Sequence, residues 1–174
     1  MTLAFASLAV ASFALGALAW RRVPSVAGRI GAVLAFVSGL GMVIAAVFPT
    51  DPITTPAASL SADGQLHALG GQLNLTPLAI LFVTLGLRRL AFDAPRLRAA
   101  LWTVVAATLA VSVAFTATAA AAGDGGFGPG VYTGLFGRFM LAGYVAWLVV
   151  AAVAVLRPPA TPPLIMEKTP FQHT

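Results

Sequence analysis

Cysteine is absent from this chain of 174 residues, and charge is scarce. Without a thiol, disulfides, thiolate metal sites, iron–sulfur clusters and cysteine nucleophiles are all excluded. Charged residues make up 9% of the chain, against about 25% in an average soluble domain. Ten Lys and Arg with five Asp and Glu cannot coat a globule of this size, so a soluble protein is excluded. No Lys or Arg precedes Leu3, whereas Arg21 and Arg22 follow the first apolar run, which is the reverse of a signal peptide. No segment alternates with period two, as a transmembrane β-strand would. No repeat of solenoid period is visible. The glycines around Asp124 lack the lysine of a phosphate loop and read as a flexible turn.

Apolar length is what the sequence does have. Hydrophobic residues make up 59% of the chain, and the mean hydropathy is +0.94. A helix crossing about 30 Å of hydrocarbon needs about 20 mostly apolar residues. Five stretches qualify, at about 3–20, 30–48, 66–87, 99–121 and 131–156. Each must satisfy its own backbone in lipid, so each is read as a helix. The fold class is therefore all-α, a polytopic transmembrane helical bundle in one domain over 1–157. Residues 158–174 form a proline-rich polar tail, read as disordered and cytoplasmic. Pro77 lies inside the third stretch and predicts a kink there.

Lys and Arg concentrate in cytoplasmic loops. Arg21, Arg22 and Arg29 lie between spans one and two, and Arg88, Arg89, Arg96 and Arg98 between spans three and four. Arg157 and Lys168 follow span five, so nine of the ten basic residues share one side of a five-span arrangement. The loops on the other side, about 49–65 and 123–130, carry Asp51, Asp63 and Asp124 and no Lys or Arg. The expected orientation puts the N-terminus outside and the C-terminus in the cytoplasm, in the inner (plasma) membrane of a prokaryote. The basic residues are thereby explained as topology anchors, and nucleic acid is not an expected partner.

Small residues let membrane helices approach closely. Gly31, Ala35 and Gly39 recur at four-residue spacing in span two, as do Thr108, Ser112, Thr116 and Ala120 in span four. Gly130, Gly134 and Arg138 repeat the spacing in span five. Four-residue spacing places each set on one helix face, which predicts a close-packed bundle. Trp20 and Trp102 read as interface anchors, and Trp147 as deep enough to pack internally.

Ionisable groups within a membrane are costly, and each raises a functional question. Asp51 closes span two in Phe48-Pro49-Thr50-Asp51-Pro52, His67 opens span three in Gly64-Gln65-Leu66-His67, and Arg138 lies in Gly134-Leu135-Phe136-Gly137-Arg138. All three fall toward the outer face. His67, Gly71, Asn74 and Leu78 fall at i, i+4, i+7 and i+11, one stripe of a helix, expected to face protein or water rather than lipid. Structural alternatives stand beside each. Asp51 between prolines suits a turn. His67 suits a wet interface, and Arg138 either snorkels outward or forms an internal pair with Asp51 or Asp63, the pair being favoured because Gly134 and Gly137 share its helix. Asp63 is expected to cap span three, with Ser61 as the alternative. His173 lies in the polar tail.

These three motifs, in this order and with Trp147 downstream, resemble the bacterial and archaeal integral membrane family called domain of unknown function 998. Its pattern is an outer F-P-x-D, a G-x-x-H opening the next helix and a late G-L-x-x-R followed by W. The resemblance covers about residues 1–156 and implies a six-helix bundle, of which this chain would lack the first helix. It implies a fold and a site at Asp51, His67 and Arg138, and no reaction.

The sequence leaves the activity open between three classes. The first is a membrane protein whose polar cluster of Asp51, His67 and Arg138, with Asn74 as a further binding candidate, is structural or binds a ligand. The second is an outer-leaflet hydrolase or transferase acting on a lipid-like or anionic substrate. His67 would be general acid or base, histidine being the residue type that exchanges protons near neutral pH. Asp51 would orient it, and Arg138 would hold the anion. The third is a small-solute permease or channel lined by polar stripes of spans three and four, with Arg138 setting selectivity. A homo-oligomer would offset its short length. No cofactor is expected. Haem would need Met42 or Met140 opposite His67, and zinc at Asp51 and His67 would need Asp63 or Asp124 as well. The expected partners are the lipid bilayer and a small molecule of unknown kind.

Overall fold

Backbone amides in hydrocarbon have no water to bond, so a chain this apolar closes them along helices. The computed structural model describes residues 2–52, 55–87, 94–121 and 132–156, and the described chain is helical apart from short turns. The elements are α1 (Thr2–Arg22), α2 (Val26–Val47), α3 (Ala62–Gln72), α4 (Thr76–Leu87), α5 (Pro95–Ala121) and α6 (Thr133–Leu156), with one 3₁₀ turn at Ala57–Ser59. Among the described residues five helical spans are long and apolar enough to cross a membrane, with α3 and α4 together forming the third. The chain is a multi-pass membrane protein. The loops of Arg88, Arg89 and Asp124, and the tail from Arg157 onward, lie outside the described residues.

The turn from α1 to α2 is short because Pro24 cannot continue a helix and Ser25 starts the next one. Ser25 Oγ accepts the Gly28 N–H at 3.1 Å, so α2 begins several residues before its apolar run. Arg29 is thus not a loop residue. It sits in the first turns of α2, with its guanidinium 5.5 Å from the Trp20 ring centre.

The third span is broken rather than kinked. α3 ends at Gln72 and α4 starts at Thr76. A proline ring clashes with the carbonyl four residues earlier, which for Pro77 is that of Leu73. The helix therefore stops at Leu73, and Pro77 sits in the first turn of α4, where its missing N–H is harmless. Asn74 Oδ1 accepts the Thr76 hydroxyl and the Thr76 N–H, capping the new helix. The continuous stripe through His67, Gly71, Asn74 and Leu78 does not exist. His67 and Gly71 belong to α3, Leu78 to α4, and Asn74 to the break.

α2 is the hub of the first four helices. One side packs on α1 and another on α3 and α4. A Cβ on Gly41 would stand 2.6 Å from the Gly70 carbonyl oxygen, and a Cβ on Gly70 equally close to that of Gly41. Only glycine at both positions lets the two backbones meet. α5 and α6 pack on each other and reach the rest mainly through α4. The core is apolar, with Ile80, Leu87, Leu101 and Trp147 fully buried. Among the described residues three side-chain hydrogen bonds cross it: Trp147 Nε1 donates to Thr84 Oγ1 and Ser12 Oγ pairs with the Tyr144 hydroxyl, each at 2.7 Å, and Ser12 Oγ donates to Met42 Sδ at 3.6 Å. Trp147 packs internally, as its depth in the sequence suggested.

Candidate functional site

Two places gather polar groups. The first is a corner where α2 ends and α3 begins. The Asp51 carboxylate accepts the Ser61 N–H at 2.8 Å and the Ser61 hydroxyl at 2.9 Å. Ser61 Oγ in turn accepts the Gly64 N–H at 3.0 Å, so Ser61, not Asp63, caps α3. Asp63 lies in the first turn, where a negative charge favours the helix dipole. A Cβ on Gly64 would collide with the Asp51 carboxylate, so the glycine makes room for the aspartate. His67 Nδ1 donates to the Phe48 carbonyl at 2.9 Å, closing the far end of α2. In a neutral ring this bond leaves the lone pair on Nε2. The Phe5 ring meets the imidazole edge-on at 5.8 Å.

Asp51 and His67 therefore share one corner, but they do not bond each other. Both carboxylate oxygens face Ser61, and the imidazole faces a backbone carbonyl. Arg138 stands apart from them. It is exposed on α6, whose main neighbours are α5 and α4. It has no hydrogen bond or ion pair among the described residues. Gly134, one turn earlier, has nothing within 4 Å of a Cβ built on it.

The second place is the break in the third span. It falls near the middle of the 26-residue stretch Ala62–Leu87. Helix ends leave backbone carbonyls and amides without intrahelical partners. Here the N–H groups of Leu73, Asn74, Leu75, Thr76, Leu78 and Ala79 all find local acceptors, so the break brings carbonyl oxygens to mid-span, together with the Asn74 amide and the Thr76 hydroxyl. Opposite lies Ser38 of α2, 1% exposed, whose Oγ is the one buried side-chain polar atom without a hydrogen-bond partner among the described residues.

The position of Ser38 follows from two contacts. A Cβ on Gly31 would meet Val83 and Ala79, and one on Gly41 would meet Gly70 and Leu73. Ser38 is two turns after Gly31, on the same helix face, and one turn before Gly41. It therefore faces the stretch between Leu73 and Ala79, which contains the break.

The family model for the protein of unknown function (DUF998) matches residues 1–154. The chain belongs to this family. The DUF998 match takes in the corner, the break and Arg138 together. No curated protein and no solved structure matches the chain. DUF998 membership thus brings a family without a stated activity, and the chemistry must come from the residues.

Among the described residues no group of three or more His, Asp or Glu is placed to hold a metal ion. Asp51 and His67 offer two candidate ligands at most, and both already have protein partners. Ser38 escaped the sequence reading. Its signal was its place: a hydroxyl seven residues from Gly31, on the face where glycines admit another backbone.

Proposed function

We propose that this DUF998 protein binds and passes a small polar solute or ion at the interruption of its third span. The observation that carries this reading is the helix break at Leu73–Leu75, faced by the unpartnered buried hydroxyl of Ser38. Irregular backbone at membrane depth is tolerated only where it is buried in protein or lines a polar cavity. Interrupted helices whose ends meet the substrate near the midplane are a recurring device of transporters. The oxygens at hand are neutral: an amide, hydroxyls and peptide carbonyls. They suit a neutral hydrogen-bonding solute or a monovalent cation better than a highly charged one.

In this reading the corner at Asp51 and His67 is a staple. It fastens the loop after α2 to the start of α3 and thereby holds the upper half of the broken span. The Arg21–Arg22 end of α1 lies in the cytoplasm and the Asp51 corner outside, in the plasma membrane of a prokaryote, following the charge bias of the loops. Several copies assembling would widen a path that a chain of this length encloses only narrowly.

Proteoliposomes challenged in turn with sodium, potassium, glycerol and urea test the proposal. Uptake of at least one above protein-free vesicles is expected, with a loss of about tenfold in Asn74→Leu and little change in Asp51→Asn. A tenfold loss corresponds to about 1.4 kcal/mol, within the range for one polar contact. Uptake at the protein-free level for all four, or equal uptake by Asn74→Leu, overturns it.

An outer-leaflet hydrolase or transferase has one observation in its favour, the free Nε2 of a His67 held through Nδ1. Against it, Asp51 bonds Ser61 instead of the imidazole, and Arg138 is on another helix pair. Hydrolysis of a fluorogenic phospholipid by the purified protein, abolished by His67→Gln with folding intact, would favour this reading over the first.

A further inference from the structure

A groove of about 290 Å³ runs between α1, α4 and α6, and every residue lining it is apolar. On α1 it follows Ala11, Leu15 and Leu18; Leu87 closes it from α4, and Leu148 and Ala152 from α6. The α1 residues recur at four and three, one helical stripe, and the next member of that stripe is Arg22. Arg21 and Arg22 are exposed, and neither has a hydrogen bond or ion pair among the described residues.

We propose that this groove is a binding site for an anionic phospholipid, with one acyl chain along α1 and the phosphate on Arg21 and Arg22. The dimensions select this occupant. From Ala11 to Arg22 the helix rises about 16 Å, the depth of one leaflet in a core about 30 Å thick. A partner helix, or a second copy of this chain, would need an apolar groove of the full thickness. It would also leave two guanidinium groups without a counter-charge, whereas a phosphate offers each a charge-assisted bond. Basic residues at the end of an interhelical pocket are a recurring way of holding anionic head groups. The site is separate from the break in the third span and does not depend on what passes there.

The test uses delipidated protein in a neutral maltoside, titrated with phosphatidylglycerol or phosphatidylcholine of identical chains and read by native mass spectrometry. Two arginines at the head group predict about a thirtyfold preference for phosphatidylglycerol at low salt, falling in high salt. The double variant Arg21→Gln/Arg22→Gln should bring the ratio near one while still binding both lipids. Ala152→Phe, which fills the groove, should weaken both. Equal affinity for the two lipids in the wild type, or unchanged binding in Ala152→Phe, overturns the proposal. The absence of native cysteine allows a further check with Ala14→Cys, since that residue also lines the groove. Disulfide-linked dimers in membranes would show a second copy seated in the groove and would overturn it too.

Discussion

The first four helices and the last two draw on the same small and hydroxyl-bearing residues, yet they are joined in different ways. In the most apolar stretch of α2, 44% of residues are buried; the figure is 11% in α5 and 17% in α6. α2 carries its glycines into direct backbone contact with α3 and α4. On α5, Thr108, Ser112, Thr116 and Thr118 each bond a carbonyl of their own helix four residues back. Thr108 is buried against Gly143 of α6, but from Ser112 onward the hydroxyls need no neighbour, and that part of the helix can face lipid. Lipid tails are as apolar as leucine, so burial alone does not drive membrane helices together. A stripe of small residues becomes an interface only where a second backbone or an unsatisfied polar group meets it.

The sharpest way to break this contrast is to place the same side chain on each half. Gly70→Leu drives a side chain into the Gly41 carbonyl and the Ala45 amide, 2.6 and 2.9 Å from where its Cβ must sit. The expected loss is about 3 kcal/mol, the upper end for overpacking, because backbone cannot step aside. Gly134→Leu on α6 meets nothing within 4 Å and should change stability by no more than about 0.5 kcal/mol. Unfolding in mixed dodecyl sulfate and maltoside micelles measures both. Equal losses would end the distinction between the two regions.

The two halves are held to each other by few polar bonds, which makes each one measurable. A double-mutant cycle of Trp147→Phe with Thr84→Val isolates the bond between α6 and α4. The expected coupling is about 1 kcal/mol, typical of the stronger hydrogen bonds between membrane helices. A coupling near zero would mean that apolar packing around the buried indole, not its N–H, fastens the hairpin to the rest.

The spans were legible in the sequence because apolar length is a one-dimensional property. The break was legible only in part. Pro77 marked a disturbance, but a proline acts on the carbonyl four residues before it, and Asn74 then capped a separate helix. The corner was half visible. The cap was expected at Asp63, with Ser61 as the alternative. Asp51 and His67 could be picked out by residue type and position. Their partners could not, because the carboxylate found a serine in its own loop rather than a cation from another helix. Arg138 shows the same limit. Glycines at its spacing suggested a buried face, but among the described residues no helix packs on Gly134. Which helix lies beside which is set by three-dimensional fit, and one chain does not spell that out.

The corner offers the next test, of intermediate size. Ser61→Ala removes the acceptor for the Gly64 N–H and one donor to Asp51, and should cost about 1 kcal/mol, as for other lost N-caps. Asp51→Ala removes the acceptor for two Ser61 bonds and should cost a similar amount. Because the residues act together, the double variant should lose clearly less than the sum of the singles. Additive losses would show that Asp51 steadies the turn by itself and that the staple is not one unit.

The smallest expected effect is the most specific to the outer hairpin. Thr116 is exposed, and its hydroxyl bonds only the Ser112 carbonyl within α5, at 3.0 Å. That carbonyl belongs to the helix interior and already receives a backbone amide, so Thr116→Ala should shift stability by less than about 0.5 kcal/mol. Such back-bonding slightly weakens a helix, so a small gain is as consistent with the contrast as no change. A loss above about 1 kcal/mol, the size of a hydrogen bond to another element, would mean that this face of α5 meets a partner. The natural candidate would be another copy of the chain. The same substitution read against protein-to-lipid ratio would then separate an assembly, whose loss grows on dilution, from a contact within one chain, whose loss does not.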